Sequence, residues 1–193
     1  SNGERNGNHK NAEGENGVVA SSNFYASRAG LNILEKGGNA IDAAIATAYA
    51  IGVVEPYTSG LGGGGFMLIH SAETGEDVFI DFREVAPSLA TPALWPIGED
   101  GKVIGGQTSE GGKSVGVPGE VAGLEYALEK YGSMSREEVM QPAIDLATNG
   151  FLVSFNMNAA ATDSYDYMLK YPELGHYYLD ENGMPYEIGH NYT

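Results

Sequence analysis

From Val18 onward the chain alternates between long apolar stretches at helical spacing and short stretches at strand spacing. Ser22 or Asn23 suits the cap of a first helix running to about Lys36, and Gly37-Gly38 supplies the left-handed backbone freedom that stops it. Asn39-Ala-Ile-Asp42 has the form of a capping box with Asp in the Glu place. It opens the run AIDAAIATAYAIGVV, apolar on nearly every side, which predicts a central, buried helix ended by Glu55-Pro56, because the residue before proline disfavours helix. Asp42 and Thr47 interrupt this run and it is too short for a membrane span.

Phe66 to Ser71 and Asp77 to Arg83 read as two strands joined by the polar turn AETGE. On the second, Val78, Ile80 and Phe82 share a core face, while Phe79, Asp81 and Arg83 share an opposite face expected to carry polar groups. Pro87, Pro92 and Pro96 then space out a surface loop that continues through residues 98–114. Val121, Leu124 and Leu128 form the stripe of a helix stopped at Gly132. Ser135-Arg-Glu-Glu138 caps another, with Val139, Ala143, Leu146 and Ala147 inward, Pro142 as a kink point and Asn149-Gly150 as its end. Ser154 caps a helix of about Phe155 to Leu169, and residues 171–193 read as turns and short extended pieces.

The fold class is therefore α+β, mostly helical with one β-hairpin and no internal repeat. The expected organisation is a polar, Asn/Gly-rich disordered tail over residues 1–17, then one domain over 18–193. Within that domain, helices and hairpin occupy 18–87, the loop 88–117, a helical part 118–170 and turns 171–193. A length of 193 residues with 42% hydrophobic composition is enough to bury a core.

Charge narrows the partners. Ten basic residues against 26 acidic ones give a formal net charge of −16, which repels phosphate backbones and anionic membranes and argues against nucleic acid. The chain has no cysteine, which removes disulfides, thiol nucleophiles and thiolate metal sites. His9, His70, His176 and His190 lack ligand spacing, so neither a metal nor a cofactor is expected.

The glycine run Gly60-Leu61-Gly62-Gly63-Gly64-Gly65 satisfies G-x-G-x-x-G, and Asp81 stands near the distance of a ribose-binding acid. The context is reversed, however. A dinucleotide loop leads from a strand into a helix whose N-terminus holds the pyrophosphate. This one leads from a helix into a strand, and Phe66-Met67 replaces the Lys-Ser/Thr of a P-loop. The glycines are better explained by close approach of this loop to another backbone or to a substrate. Arg83, one of few cations in an acidic chain, suits either an ion pair with Asp81 or Glu84, or two-pronged recognition of a substrate carboxylate.

Taken in order, GGNAIDAAIATAYAIGVVEPYTSGLGGGGFMLIH, IDFREVAP, VGVPGEVAGLEYALEKYG, PAIDLATNGFLVS and YPELG resemble the N-terminal part of the gamma-glutamyltranspeptidase family, from about Val18 to the C-terminus. The resemblance implies a partial N-terminal-nucleophile hydrolase fold of four αββα layers, from a precursor that cleaves itself into a large and a small subunit. It implies γ-glutamyl transfer or hydrolysis on glutathione and related donors, through a Thr-bound γ-glutamyl intermediate passed to water or to an amino-acid or peptide acceptor. Arg83 matches the arginine of the family's D-x-R-E-x-A-P motif, which binds the donor α-carboxylate, with Asp81 and Glu84 as its supports. No Thr here has the family's Thr-Thr-His context, so the nucleophile is expected downstream, on the small subunit, and the chain alone is expected to be inactive. Another acylase of the same fold, or a non-catalytic assembly module, are the alternatives. Members are commonly exported, and the compartment stays open.

Overall fold

The computed structural model describes residues 11–193. Residues 1–10 of the expected tail lie outside the described residues, and residues 11–17 are exposed and belong to no helix or strand. The first helix, α1, spans Phe24–Glu35, with the Asn23 side chain accepting from the Tyr25 N–H. The second, α2, spans Ala40–Val54 and forms the centre of the molecule, burying Ile45, Ala46, Ala50 and Val54 almost completely. Small residues bring these two helices close. A Cβ on Gly30 would stand 2.9 Å from the Ala43 carbonyl oxygen, so alanine there would push α1 off α2.

Helices α3 (Glu120–Tyr131) and α4 (Arg136–Asn149) complete the core with Leu124, Ala127, Val139 and Ala143. Both expected capping boxes are present, Asn39 with Asp42 and Ser135 with Glu138. Helix α4 runs through Pro142 and stops at Gly150, whose φ of 82° is left-handed. Val121 was expected on the buried stripe of α3. It is exposed instead, and Gly123 takes the inward place because Phe82 packs directly over it.

The hairpin consists of β1 (Phe66–His70) and β2 (Asp77–Asp81), paired antiparallel from Phe66 opposite Asp81 to His70 opposite Asp77. The second strand was expected to reach Arg83 but ends earlier. The Arg83 N–H turns inward to the Asp81 carboxylate at 3.0 Å, an Asx-type turn that takes it out of the ladder. Val78 and Ile80 face the core side as expected, and Met67 and Ile69 of the first strand join them. The outer face carries the expected polar groups at His70, Asp77 and Asp81, but Phe66, Leu68 and Phe79 also stand exposed on it, the two rings stacked at 5.7 Å. Residues of one strand face alternate, so the pattern was present in FMLIH, but a run apolar on both sides marks a strand covered on both.

The C-terminal quarter also departs from expectation. The single helix over Phe155–Leu169 is two, α5 (Phe155–Asp163) and α6 (Tyr165–Lys170), broken at Ser164 where Thr-Asp-Ser offers low helix propensity and competing side-chain hydrogen bonds. The segment expected to hold turns contains α7 (Pro172–Tyr178). Proline read as a stop is here a start, since its fixed φ and missing N–H suit the first helical position. Finally, β3 (Phe151–Leu152) pairs with β4 (Asn191–Tyr192), which ties the chain end back to α4. No described helix is long and apolar enough to cross a membrane.

Candidate functional site

Arg83 follows β2 at the point where three segments converge, and glycines make the convergence possible. A Cβ on Gly64 would lie 2.5 Å from the Phe82 carbonyl oxygen and 2.9 Å from the Glu84 nitrogen. No side chain fits there. On the opposite side, a Cβ on Gly119 would strike the same Phe82 carbonyl, and one on Gly123 would enter the Phe82 ring. The glycine run thus approaches the Arg83 backbone from one side and the start of α3 from the other.

Hydrogen bonds lock this arrangement. The Phe82 N–H donates to the Gly65 carbonyl at 3.0 Å, and the Gly119 and Glu120 N–H groups both donate to the Gly63 carbonyl, at 2.9 and 3.0 Å. One step further along, Val85 bridges Val117, whose N–H donates to the Val85 carbonyl at 2.8 Å. The backbone around Arg83 is therefore held before, at and after the residue.

The guanidinium is treated differently from the backbone. Arg83 is exposed, and among the described residues it forms no ion pair, although Asp81 and Glu84 are its near neighbours. Asp81 spends one carboxylate oxygen on the Arg83 N–H and so shapes the turn. Glu84 and Glu120 lie against the glycine loop, at Gly63 and Gly65 respectively. Burial, and then the charge of Glu84, push the Glu120 carboxyl above its ordinary value. A guanidinium two residues beyond β2, exposed and without an ion-pair partner among the described residues, is chemically able to receive a planar carboxylate through two parallel N–H donors.

A hollow of about 240 Å³ lies elsewhere, between Pro56, Tyr57, Met157, Ala161, Met168 and Tyr178, and Arg83 does not line it. Among the described histidines, His70 pairs with Asp77 at 2.8 Å on the exposed end of the hairpin. Among the described residues no group of His, Asp and Glu is placed to hold a metal.

The fold has counterparts among known proteins. The chain superposes on the gamma-glutamyltranspeptidase of Helicobacter pylori with a TM-score of 0.87 at 38% identity, covering 94% of this chain and 51% of that one. It also resembles a cephalosporin acylase from Bacillus halodurans, with a TM-score of 0.75 at 26% identity over 98% of this chain and 36% of the other. The architecture is that of part of an N-terminal-nucleophile hydrolase fold. The family model described as Gamma-glutamyltranspeptidase matches residues 26–193. A glutathione hydrolase proenzyme of Pseudomonas sp. (strain A14) is 42% identical over 176 residues, 91% of this chain and 30% of the relative. The chain belongs to the gamma-glutamyltranspeptidase family. It spans about half the length of the solved relative and under a third of the curated one.

Proposed function

We propose that this chain is the donor-carboxylate-binding part of an autoprocessed γ-glutamyl transferase or glutathione hydrolase of αββα architecture. Arg83 grips the α-carboxylate of the γ-glutamyl donor, and a second part of the same precursor brings the nucleophile. In that reaction a Thr hydroxyl oxygen bonds to the γ-carbonyl carbon as the amide C–N bond breaks. The hydroxyl proton passes through the Thr α-amine to the leaving nitrogen. Water or an acceptor amine then takes the γ-glutamyl group and restores the hydroxyl. The apolar outer face of the hairpin, with Phe66, Leu68 and Phe79 exposed, suits cover by the rest of that enzyme.

One observation carries this reading: the backbone of Arg83 is fixed on every side while its guanidinium has no partner among the described residues. A structural ion pair would have used Asp81 or Glu84, both within reach along the chain. The test is a comparison of two donors on the full-length protein, a γ-glutamyl anilide and its analogue lacking the α-carboxylate. Wild-type protein should strongly prefer the first, and Arg83→Lys should erase most of that preference by raising KM for the carboxylate-bearing donor alone, since a point charge cannot reproduce the fork. Equal preference in both proteins would refute the role of Arg83.

The likeness to a cephalosporin acylase supports a second reading, hydrolysis of another acyl amide on the same scaffold. A donor panel separates the two: faster turnover of an acyl amide without an α-carboxylate would favour the acylase.

A further inference from the structure

The loop that leaves the site directly after Arg83 is a structured body of its own. It departs beyond Val85 and returns at Val117, where the bridge between those residues closes it. Inside, Ile97 bridges Val103, the Trp95 indole N–H donates to the Lys113 carbonyl at 3.2 Å, and the Lys113 ammonium donates to the Gln107 side-chain oxygen at 2.9 Å. Single turns of tight helix at Pro92–Leu94 and Gly112–Ser114, and a left-handed turn at Gly105 and Gly106, fill it out. These ties are internal, so they stiffen the loop without attaching it.

Beyond the Val85–Val117 bridge, hydrogen-bonded attachment rests on one side chain. Among the described residues, every hydrogen bond joining residues 91–116 to another part of the chain ends on the carboxylate of Glu110. The Lys170 ammonium, at the end of α6, and the Tyr171 hydroxyl, at 2.8 Å, both donate to one of its oxygens. Lys170 also lies 5.1 Å from the centre of the Tyr171 ring, and Tyr167 stacks on Tyr171 at 6.5 Å, so the acceptor's partners are themselves oriented. Turns from Gly106 to Ser109 and Glu110 hold Glu110 itself at the loop's far end.

We propose that Glu110 is a positioning residue for Arg83: by clamping the loop to Lys170 and Tyr171 it fixes the Val85–Val117 bridge and hence the direction in which the guanidinium is presented. A stiff body hinged at one end and pinned at the other transmits loss of the pin to the hinge. The hinge lies two residues from Arg83, and beside it Gly116 packs on the Glu84 side chain. The proposal rests on Arg83 being the donor-carboxylate ligand, but the pin itself is testable without that assumption.

The test uses Glu110→Lys, which sets two ammonium groups against each other, and the double variant Glu110→Lys/Lys170→Glu, which restores the pair with its charges exchanged. Amide hydrogen exchange reports the pin: in Glu110→Lys, residues 91–116 and the Val117 N–H should exchange faster, and the double variant should recover. Kinetics on the full-length protein report the coupling: KM for a γ-glutamyl anilide should rise about two- to fivefold in Glu110→Lys, the span an exposed ion pair can supply, with kcat held, and should recover in the double variant. Unchanged exchange in Glu110→Lys overturns the pin. Faster exchange with unchanged KM overturns the coupling to Arg83. If Arg83→Lys also leaves donor KM unchanged, the assignment of Arg83 fails, while the exchange result still decides the pin.

Discussion

The carboxylate of Asp42, fully buried at the start of α2, accepts from both the backbone N–H and the hydroxyl of Ser133 in the turn between α3 and α4, at 2.9 and 2.6 Å. The Asn39 and Met134 N–H groups, at 2.8 and 3.2 Å, add to it. One side chain thus caps its own helix and fastens two others to it. Burial alone would raise the Asp42 carboxyl, but these donors outweigh it and hold it below the ordinary carboxylate value.

The sign of the pH effect follows. A carboxyl with a folded pKa below its unfolded one adds stability that is complete above the unfolded value and is lost as pH falls through the folded value. Asp42→Ala should lower stability at neutral pH by about 2–4 kcal/mol, because buried N–H donors lose their acceptor. The gap between variant and wild type should narrow as pH drops below the ordinary Asp value of 3.8. Urea midpoints measured from pH 7 down to pH 3 check this; a pH-independent gap would mean that packing, not the charged acceptor, sets the loss.

The glycines of the loop differ in what surrounds them. Gly64→Ala places a methyl group against the Phe82 carbonyl and the Glu84 nitrogen, whereas a Cβ on Gly62 meets nothing within 4 Å. Gly64→Ala should destabilise by about 1–3 kcal/mol and raise donor KM in the full-length protein by moving Arg83. Gly62→Ala should stay within about 0.5 kcal/mol and leave KM alone. Similar effects at both positions would indicate that backbone entropy, rather than close approach, explains the run.

These contrasts show which parts of the molecule were legible beforehand. The capping boxes and the buried run of α2 came through because local chemistry specifies them: Asn39 and Ser135 each satisfy N–H groups only two or three residues away. The close-approach reading of the glycines followed from their order between helix and strand. What they approach, Phe82 and the start of α3, depends on contacts distant along the chain. Asp42 was visible as a cap but not as a tie to Ser133, for the same reason. The pin at Glu110 and the pairing of Phe151–Leu152 with Asn191–Tyr192 are likewise long-range. Arg83 stood out by type and motif, while its lack of an ion pair required coordinates.

The Glu120 carboxylate lies beside the glycine loop and accepts no hydrogen bond from any described residue, although the Glu120 backbone N–H donates to the Gly63 carbonyl. Burial and then Glu84 raise its pKa, so ionisation works against the folded state. A raised folded pKa means the favourable contribution is whole below the unfolded value, near 4.5, and disappears as pH climbs through the folded one. Glu120→Gln should therefore raise the denaturation midpoint at pH 7, with the gain shrinking towards pH 4, where the wild-type carboxyl is already neutral. If Gln lowers the midpoint at pH 7, the charged carboxylate is favoured in the folded state and the upward shift of its pKa is refuted.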